Sequence, residues 1–245
     1  MIISEKMKMA DVIHLNYLLV SVINRFGIRL GFGDKTVEEI CTINNVNIKF
    51  FLEITNAFHD KQYFPDKQLQ TFSLKLIVEY LNKTHKYYLE KKIPEIDNLI
   101  KQIVVKYIDI NKDLILIENF FNQYLKELTI HIKLEEEVVY PYVLKIEEAF
   151  GKNHCSGELY EQINKYSIND YKREHDDVKE KLLDLKNIII KYLPAPYDDN
   201  NYNNILFELF KLEEDLNNHS SIEEKVLIPK VCSMEEKLVL LYNKK

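Results

Sequence analysis

The amino-acid sequence predicts an all-α protein built around an up-down four-helix bundle with a small helical domain at its N-terminus, and three observations lead there. Apolar positions recur every three or four residues rather than every second one, in a chain dominated by Leu, Ile, Lys and Glu. Only five glycines and six prolines punctuate 245 residues, so helices should run long. A histidine–glutamate pattern occurs twice, at matching places in two of those helices. Apolar residues make up 46% and charged residues 29%, the balance of a globular chain.

The elements follow in order. Residues 26–34 hold three of the five glycines and predict a turn-rich connection. Thr36-Val37-Glu38-Glu39 fits a capping box, opening a short helix to about Ile43; a turn at Asn44-Asn45 leads to a second helix through Phe58. Residues 1–62 thus form a compact helical unit ahead of a main body over 63–245. This short-helix, turn, helix pattern is not a DNA reader. Residues 34–60 carry two lysines against five acids, and the second helix is mostly apolar where base-reaching polar side chains would be needed.

Four long helices should make up the main body. The first spans roughly 66–107 with Pro94 inside it, where a kink or break is expected. The second spans roughly 114–149, kinked at Pro141 and ending near Gly151. After a loop containing Cys155 and Gly157, the third covers roughly 167–193 and stops at the Pro194-Ala195-Pro196 linker. The fourth runs from about 202 to 230 or beyond. Short connections imply antiparallel neighbours.

The net charge of −6 argues against broad binding of nucleic acid or of an anionic membrane. No apolar run reaches the roughly 18 residues of a membrane-spanning helix. The opening MIISEKMKMADVIHLNYLL has early acidic residues and does not read as a signal peptide. Cys41, Cys155 and Cys232 are odd in number and far apart, which fits reduced thiols in the cytoplasm and no cysteine metal cluster.

The informative feature is the repeat. His131-Ile-Lys-Leu-Glu135-Glu136-Glu137-Val138-Val139-Tyr140-Pro141 and His219-Ser-Ser-Ile-Glu223-Glu224-Lys225-Val226-Leu227-Ile228-Pro229 both read H-x-x-x-E-E-x-V-x-x-P. Their histidines stand 88 residues apart, and His85 and His175 stand 90 apart. Each half of the bundle therefore supplies one lone histidine and one H-x-x-x-E pair. Residues four apart on a helix share a face, so each pair projects one imidazole and one carboxylate in the same direction. His85, His131, Glu135, His175, His219 and Glu223 would then converge from four helices. Six such ligands suit two metal ions about 3.5–4 Å apart, bridged by carboxylates, better than one ion. Imidazole nitrogen suits iron, copper, zinc and nickel, whereas an all-carboxylate set would favour manganese or magnesium, and a dinuclear iron site fits best. A lone H-x-x-x-E is weak, since it is common as a solvated pair; its duplication in phase with two further histidines is the signal. Glu136 and Glu224 rotate about 100° away and read as outer-sphere or solvent-facing. Tyr88 and Tyr140 read as ordinary packing among 16 tyrosines, and His14, His59 and His154 fall outside the pattern.

These residues resemble the hemerythrin-like domain, and the whole chain resembles the di-iron proteins for repair of iron centres, which join a short N-terminal helical domain to such a bundle. The resemblance covers nearly the full length, and its specific part is the paired H-x-x-x-E-E motif at His131 and His219, with His85 and His175 completing a four-histidine, two-glutamate set. It implies two non-haem irons joined by an oxo-type bridge and by the carboxylates of Glu135 and Glu223. The chain departs from it in one place: many relatives carry an adjacent cysteine pair in the N-terminal glycine-rich turn, whereas Arg29-Leu30-Gly31-Phe32-Gly33 has none and only Cys41 follows.

The resemblance implies a stress-defence protein that handles nitric oxide or supplies iron for repair of damaged iron–sulfur clusters, with iron–sulfur proteins as partners. The alternative is a non-enzymatic sensor or carrier of dioxygen or nitric oxide, and a third reading is a metal-stabilised interaction protein. The N-terminal unit could also support a homodimer through its apolar helix.

Overall fold

The computed structural model describes residues 1–109, 112, 114–173, 177–192 and 199–244. Its helices are α1 (Met9–Leu15), α2 (Leu19–Arg25), α3 (Val37–Ile43), α4 (Ile48–His59), α5 (Asp66–Leu69), α6 (Leu74–Tyr87) and α7 (Ile93–Tyr107). They continue with α8 (Leu114–Leu134), α9 (Tyr140–Gly151), α10 (Gly157–Lys165), α11 (Ile168–Arg173), α12 (Asp177–Tyr192), α13 (Asp199–Ile222) and α14 (Ile228–Tyr242). Among the described residues there is no strand, only an isolated bridge between Lys8 and Thr36. The fold is all-α, a hemerythrin-like helical bundle. No described helix is long and apolar enough to cross a membrane.

The chain divides into two compact units, Met1–Thr84 with Ser221–Lys230, and His85–Ser220 with Val231–Lys245. In the first, Thr36 and Glu39 form the expected capping box: Thr36 Oγ1 accepts from the Glu39 N–H at 3.2 Å, and the Thr36 N–H donates to Glu39 Oε2 at 2.7 Å. Gly27 and Gly31, at φ 81° and 105°, turn the chain in a region that side chains disfavour. Phe26 packs against Phe50, Phe51 and Tyr80, with centroids 5.0–6.1 Å apart, forming an aromatic core. Asn56, buried on α4, ties down the N-terminal segment by accepting from the Ile3 N–H at 2.7 Å and donating to the Ile3 carbonyl at 2.9 Å.

The second unit carries a four-helix core. Ile96, Ile100 and Ile103 of α7, Phe121, Tyr124 and Leu128 of α8, Leu182 and Leu185 of α12, and Leu209 and Leu212 of α13 bury into one cluster. The i, i+3, i+4 spacing of these residues is the apolar stripe each helix turns inward. Charged pairs join the same helices: Lys186 of α12, itself buried, meets Glu213 of α13 at 2.5 Å. Lys92 pairs with Glu208, and Lys181 with Glu127.

The boundaries differ from expectation at two places. The first long helix starts at Leu74, not near 66: α5 ends at Leu69, Thr71 Oγ1 donates to the Gln68 carbonyl in the turn that follows, and Ser73 Oγ accepts from the Leu76 N–H and caps the new helix. The stretch expected as loop contains α10, capped by Ser156, whose hydroxyl oxygen accepts from the Leu159 N–H at 3.1 Å. The last helical run ends at Tyr242. The Pro194-Ala195-Pro196 linker lies outside the described residues.

Candidate metal centre

Three helical runs widen next to the candidate ligands. π-turns span Tyr88–Lys92, Glu135–Val139 and Glu223–Leu227; after each, one N–H reaches back five residues, Ile93 to Tyr88, Tyr140 to Glu135 and Ile228 to Glu223. A proline comes next every time, at 94, 141 and 229. Proline has no N–H, and its ring crowds the carbonyl four residues back; the wider turn absorbs both effects without ending the helix. The disruption expected at Pro94 and Pro141 therefore takes the form of a π-turn. Its consequence is a change of phase. In a regular α-helix the fifth residue on lies roughly 140° around the axis, whereas across a π-turn it returns to the same face. Tyr140 is thereby brought to the side of Glu135.

Four of the six candidates come together. His85 Nε2 lies 3.1 Å from His219 Nε2 and 3.1 Å from Glu135 Oε2. His131 Nε2 lies 3.1 Å from Glu135 Oε1. His85, Glu135 and His219 are 1%, 0% and 5% exposed, and each offers a ligand atom within 4.8 Å of the others. Glu223 is buried in the π-turn that follows α13 and belongs to the first unit. His175 lies outside the described residues. His14, His59 and His154 do not join the cluster.

The chemistry of the donors fits a cation. His85 Nδ1 lies 3.0 Å from Glu136 Oε1. A carboxylate oxygen accepts, so Nδ1–H donates, and when the ring is neutral Nε2 carries the lone pair. That lone pair faces a carboxylate oxygen and a second imidazole nitrogen. Electron-rich atoms held this close in a buried site repel unless positive charge lies between them. A proton serves one of these contacts; a metal ion serves both.

Tyrosines surround the cluster. The Tyr171 hydroxyl donates to Glu135 Oε1 at 2.7 Å. Tyr140 stacks on His85, with centroids 5.7 Å apart and an interplanar angle of 10°, and its hydroxyl lies 3.5 Å from His85 Nε2. Tyr88 donates to Asp215 Oδ1 at 3.0 Å and makes a T-shaped contact with the His219 ring. Packing alone does not describe Tyr88 and Tyr140. Tyr171 and Asp215 escaped the sequence reading, though each had a faint signal: Asp215 precedes His219 by four residues, and Tyr171 precedes His175 by four.

A four-helix bundle with histidines and a carboxylate converging in its interior defines a metal-binding helical-bundle protein. More narrowly, the model of the hemerythrin HHE cation-binding domain matches residues 77–231, and the chain belongs to that family. A comparison with curated proteins finds no match.

Proposed function

We propose that this chain is a di-iron protein of nitrosative and oxidative stress defence, which handles nitric oxide, supplies iron for repair of damaged iron–sulfur clusters, or does both. Its organisation would be a small helical domain over 1–62 ahead of a bundle over 63–245. Two non-haem irons would be held by His85, His131, Glu135, His175, His219 and Glu223. The observation that carries the reading is the buried convergence of His85, Glu135 and His219 at 3.1 Å contacts. The duplicated H-x-x-x-E pattern supports two ions rather than one, and the family's cation-binding character supports iron.

A ferrous pair with an open coordination position would supply diatomic binding and a reversible change of oxidation state. The chain's own residues have separable tasks. Glu136 orients His85 by accepting at Nδ1, and Tyr171 steadies Glu135 through Oε1. Leu128, Ile132, Leu212 and Leu216 belong to the buried core of the same helices and exclude water from their interior. Iron–sulfur proteins would be the acceptors of delivered iron.

A second reading, a sensor or carrier that binds dioxygen or nitric oxide without turnover, is favoured by one observation. The thiol at Cys41 is buried, and burial pushes it up to about 11, so it is a poor nucleophile and a poor metal ligand near neutral pH. With no cysteine in the glycine-rich turn, a thiol handover from this unit has no evident donor.

Metal analysis with absorption spectra before and after anaerobic nitric oxide addition tests the centre. About two irons per chain, with bands that respond to nitric oxide, are expected; zinc, or no metal after anaerobic purification, would sink both readings. Iron transfer to an apo-cluster acceptor, lost in His131→Ala, separates repair from reversible binding.

A further inference from the structure

We propose that Glu235 is a positioning residue for the metal centre: it anchors α11, the short helix from which Tyr171 orients the Glu135 carboxylate, a role resting on the reading of that cluster as a metal site. α11 has six residues, too few to hold a helical shape or a fixed position unaided. Its own start supplies part of the fixing, since the Ser167 N–H and hydroxyl both donate to Asp170 Oδ2, at 2.9 and 2.8 Å, and close the first turn locally. A tie to other helices comes at the Ile168 N–H, one of the donors that a first turn leaves without an intrahelical acceptor. It donates to Glu235 Oε1 of α14 at 3.0 Å. The same oxygen accepts from the Tyr142 hydroxyl of α9, so one carboxylate joins three helices. Glu235 is 5% exposed, and burial raises its carboxyl above the ordinary range. A carboxyl so placed is costly unless its oxygens find donors, and here one oxygen finds two.

Three residues after Ile168, Tyr171 lies on nearly the same face of α11, about 4.5 Å along the axis. It is buried and donates to Glu135 Oε1 at 2.7 Å. A carboxylate oxygen offers two lone-pair directions. With one taken by the phenol, the other sets where Oε1 meets a cation, and that oxygen lies 3.1 Å from His131 Nε2. Glu135 Oε2 lies 3.1 Å from His85 Nε2, so a turn of the carboxylate about its last bond moves both contacts at once. The place of Tyr171 is fixed through α11, and α11 is fixed at its start by Glu235.

The test is a double-mutant cycle on the full chain, read as ferrous-iron affinity in anaerobic competition against a chelator, with the melting of each metal-free protein beside it. Glu235→Ala should bind iron roughly tenfold more weakly, at the low end of what a lost outer contact costs a metal site. Tyr171→Phe should lose about as much, and the double variant should bind no more weakly than Tyr171→Phe alone, because both changes cut one chain of contacts. Glu235→Gln, which keeps an accepting oxygen for the Ile168 N–H, should return close to the wild-type affinity. Tyr142→Phe removes the other donor to the same oxygen; it should melt lower and bind iron as the wild type does. Should Glu235→Ala not fold, Glu235→Asp, which draws the oxygen back by one carbon, takes its place in the cycle. Wild-type affinity in Glu235→Ala would overturn the assignment, as would losses that multiply in the double variant. So would an equal loss in Tyr142→Phe, since general destabilisation would then account for the effect. A wild-type chain that takes up no iron overturns the centre itself, and with it this role; that titration comes first and keeps the two failures apart.

Discussion

Glu136 reaches His85 Nδ1 at 3.0 Å from a side chain that is 41% exposed, so it can be removed without opening the core. Its effect would be on the ring it orients. Glu136→Ala should weaken metal affinity about 10–100-fold, the usual effect of losing a carboxylate behind a metal-bound histidine. The helical signal and melting of the metal-free protein should stay close to wild type. Competition against a chelator reads the affinity, and Glu136→Gln, which keeps an accepting oxygen, should recover part of it. Equal affinity in wild type and Glu136→Ala would show that His85 is oriented by other contacts. At this scale, His85, His131, Glu135 and His219 were legible because residues four apart share a helical face and because the motif occurs twice. Tyr171 was not. Its partner, Glu135, lies on another helical run, and nothing in a linear pattern records which hydroxyl crosses between helices.

Helical runs were legible where propensity and capping agreed, as at Thr36 and Glu39, and blurred where a turn at Thr71 and a fresh cap at Ser73 divide what reads as one run. The π-turns were hidden for a different reason. A proline inside an apolar helical pattern announces a disturbance but not its form, and widening, kinking and breaking begin from the same residue. Here the form matters, because the extra residue in the Glu135–Val139 turn sets the phase between Glu135 and Tyr140. Pro141→Ala restores an N–H and removes the ring that crowds the preceding turn. The metal-free protein should then melt higher, by up to the ~3 kcal/mol that separates alanine from proline inside a helix. Metal affinity should fall, as the regular α-helical phase carries Tyr140 away from His85. Calorimetry of the metal-free variant beside its metal titration checks both. A rise in stability with affinity intact would show that the π-turn is held by packing around Glu135 rather than by the proline.

Across the whole molecule, buried tyrosines set an alkaline limit. Burial pushes the Tyr63 hydroxyl up to about 12, with Glu53 adding to the effect. Burial alone raises Tyr124, and burial followed by the Glu235 carboxylate raises Tyr142. Tyr63 lies in the first unit and the other two in the second, so both units carry the effect. In the unfolded chain each phenol ionises near its ordinary value of about 10. Below that pH both states keep the proton, and these groups leave stability untouched. Above it the unfolded state sheds protons that the folded state retains, so stability falls steadily as pH rises. Loss of helical signal on raising the pH should therefore coincide with the last phenolate absorbance rather than follow it. Tyr124 isolates the cause: it is 1% exposed, and its hydroxyl has no hydrogen-bond partner among the described residues. Tyr124→Phe should change neutral stability little and shift the alkaline midpoint to higher pH. If all 16 tyrosines titrate while the helical signal holds, the buried phenols reach solvent without unfolding, and the alkaline limit lies elsewhere.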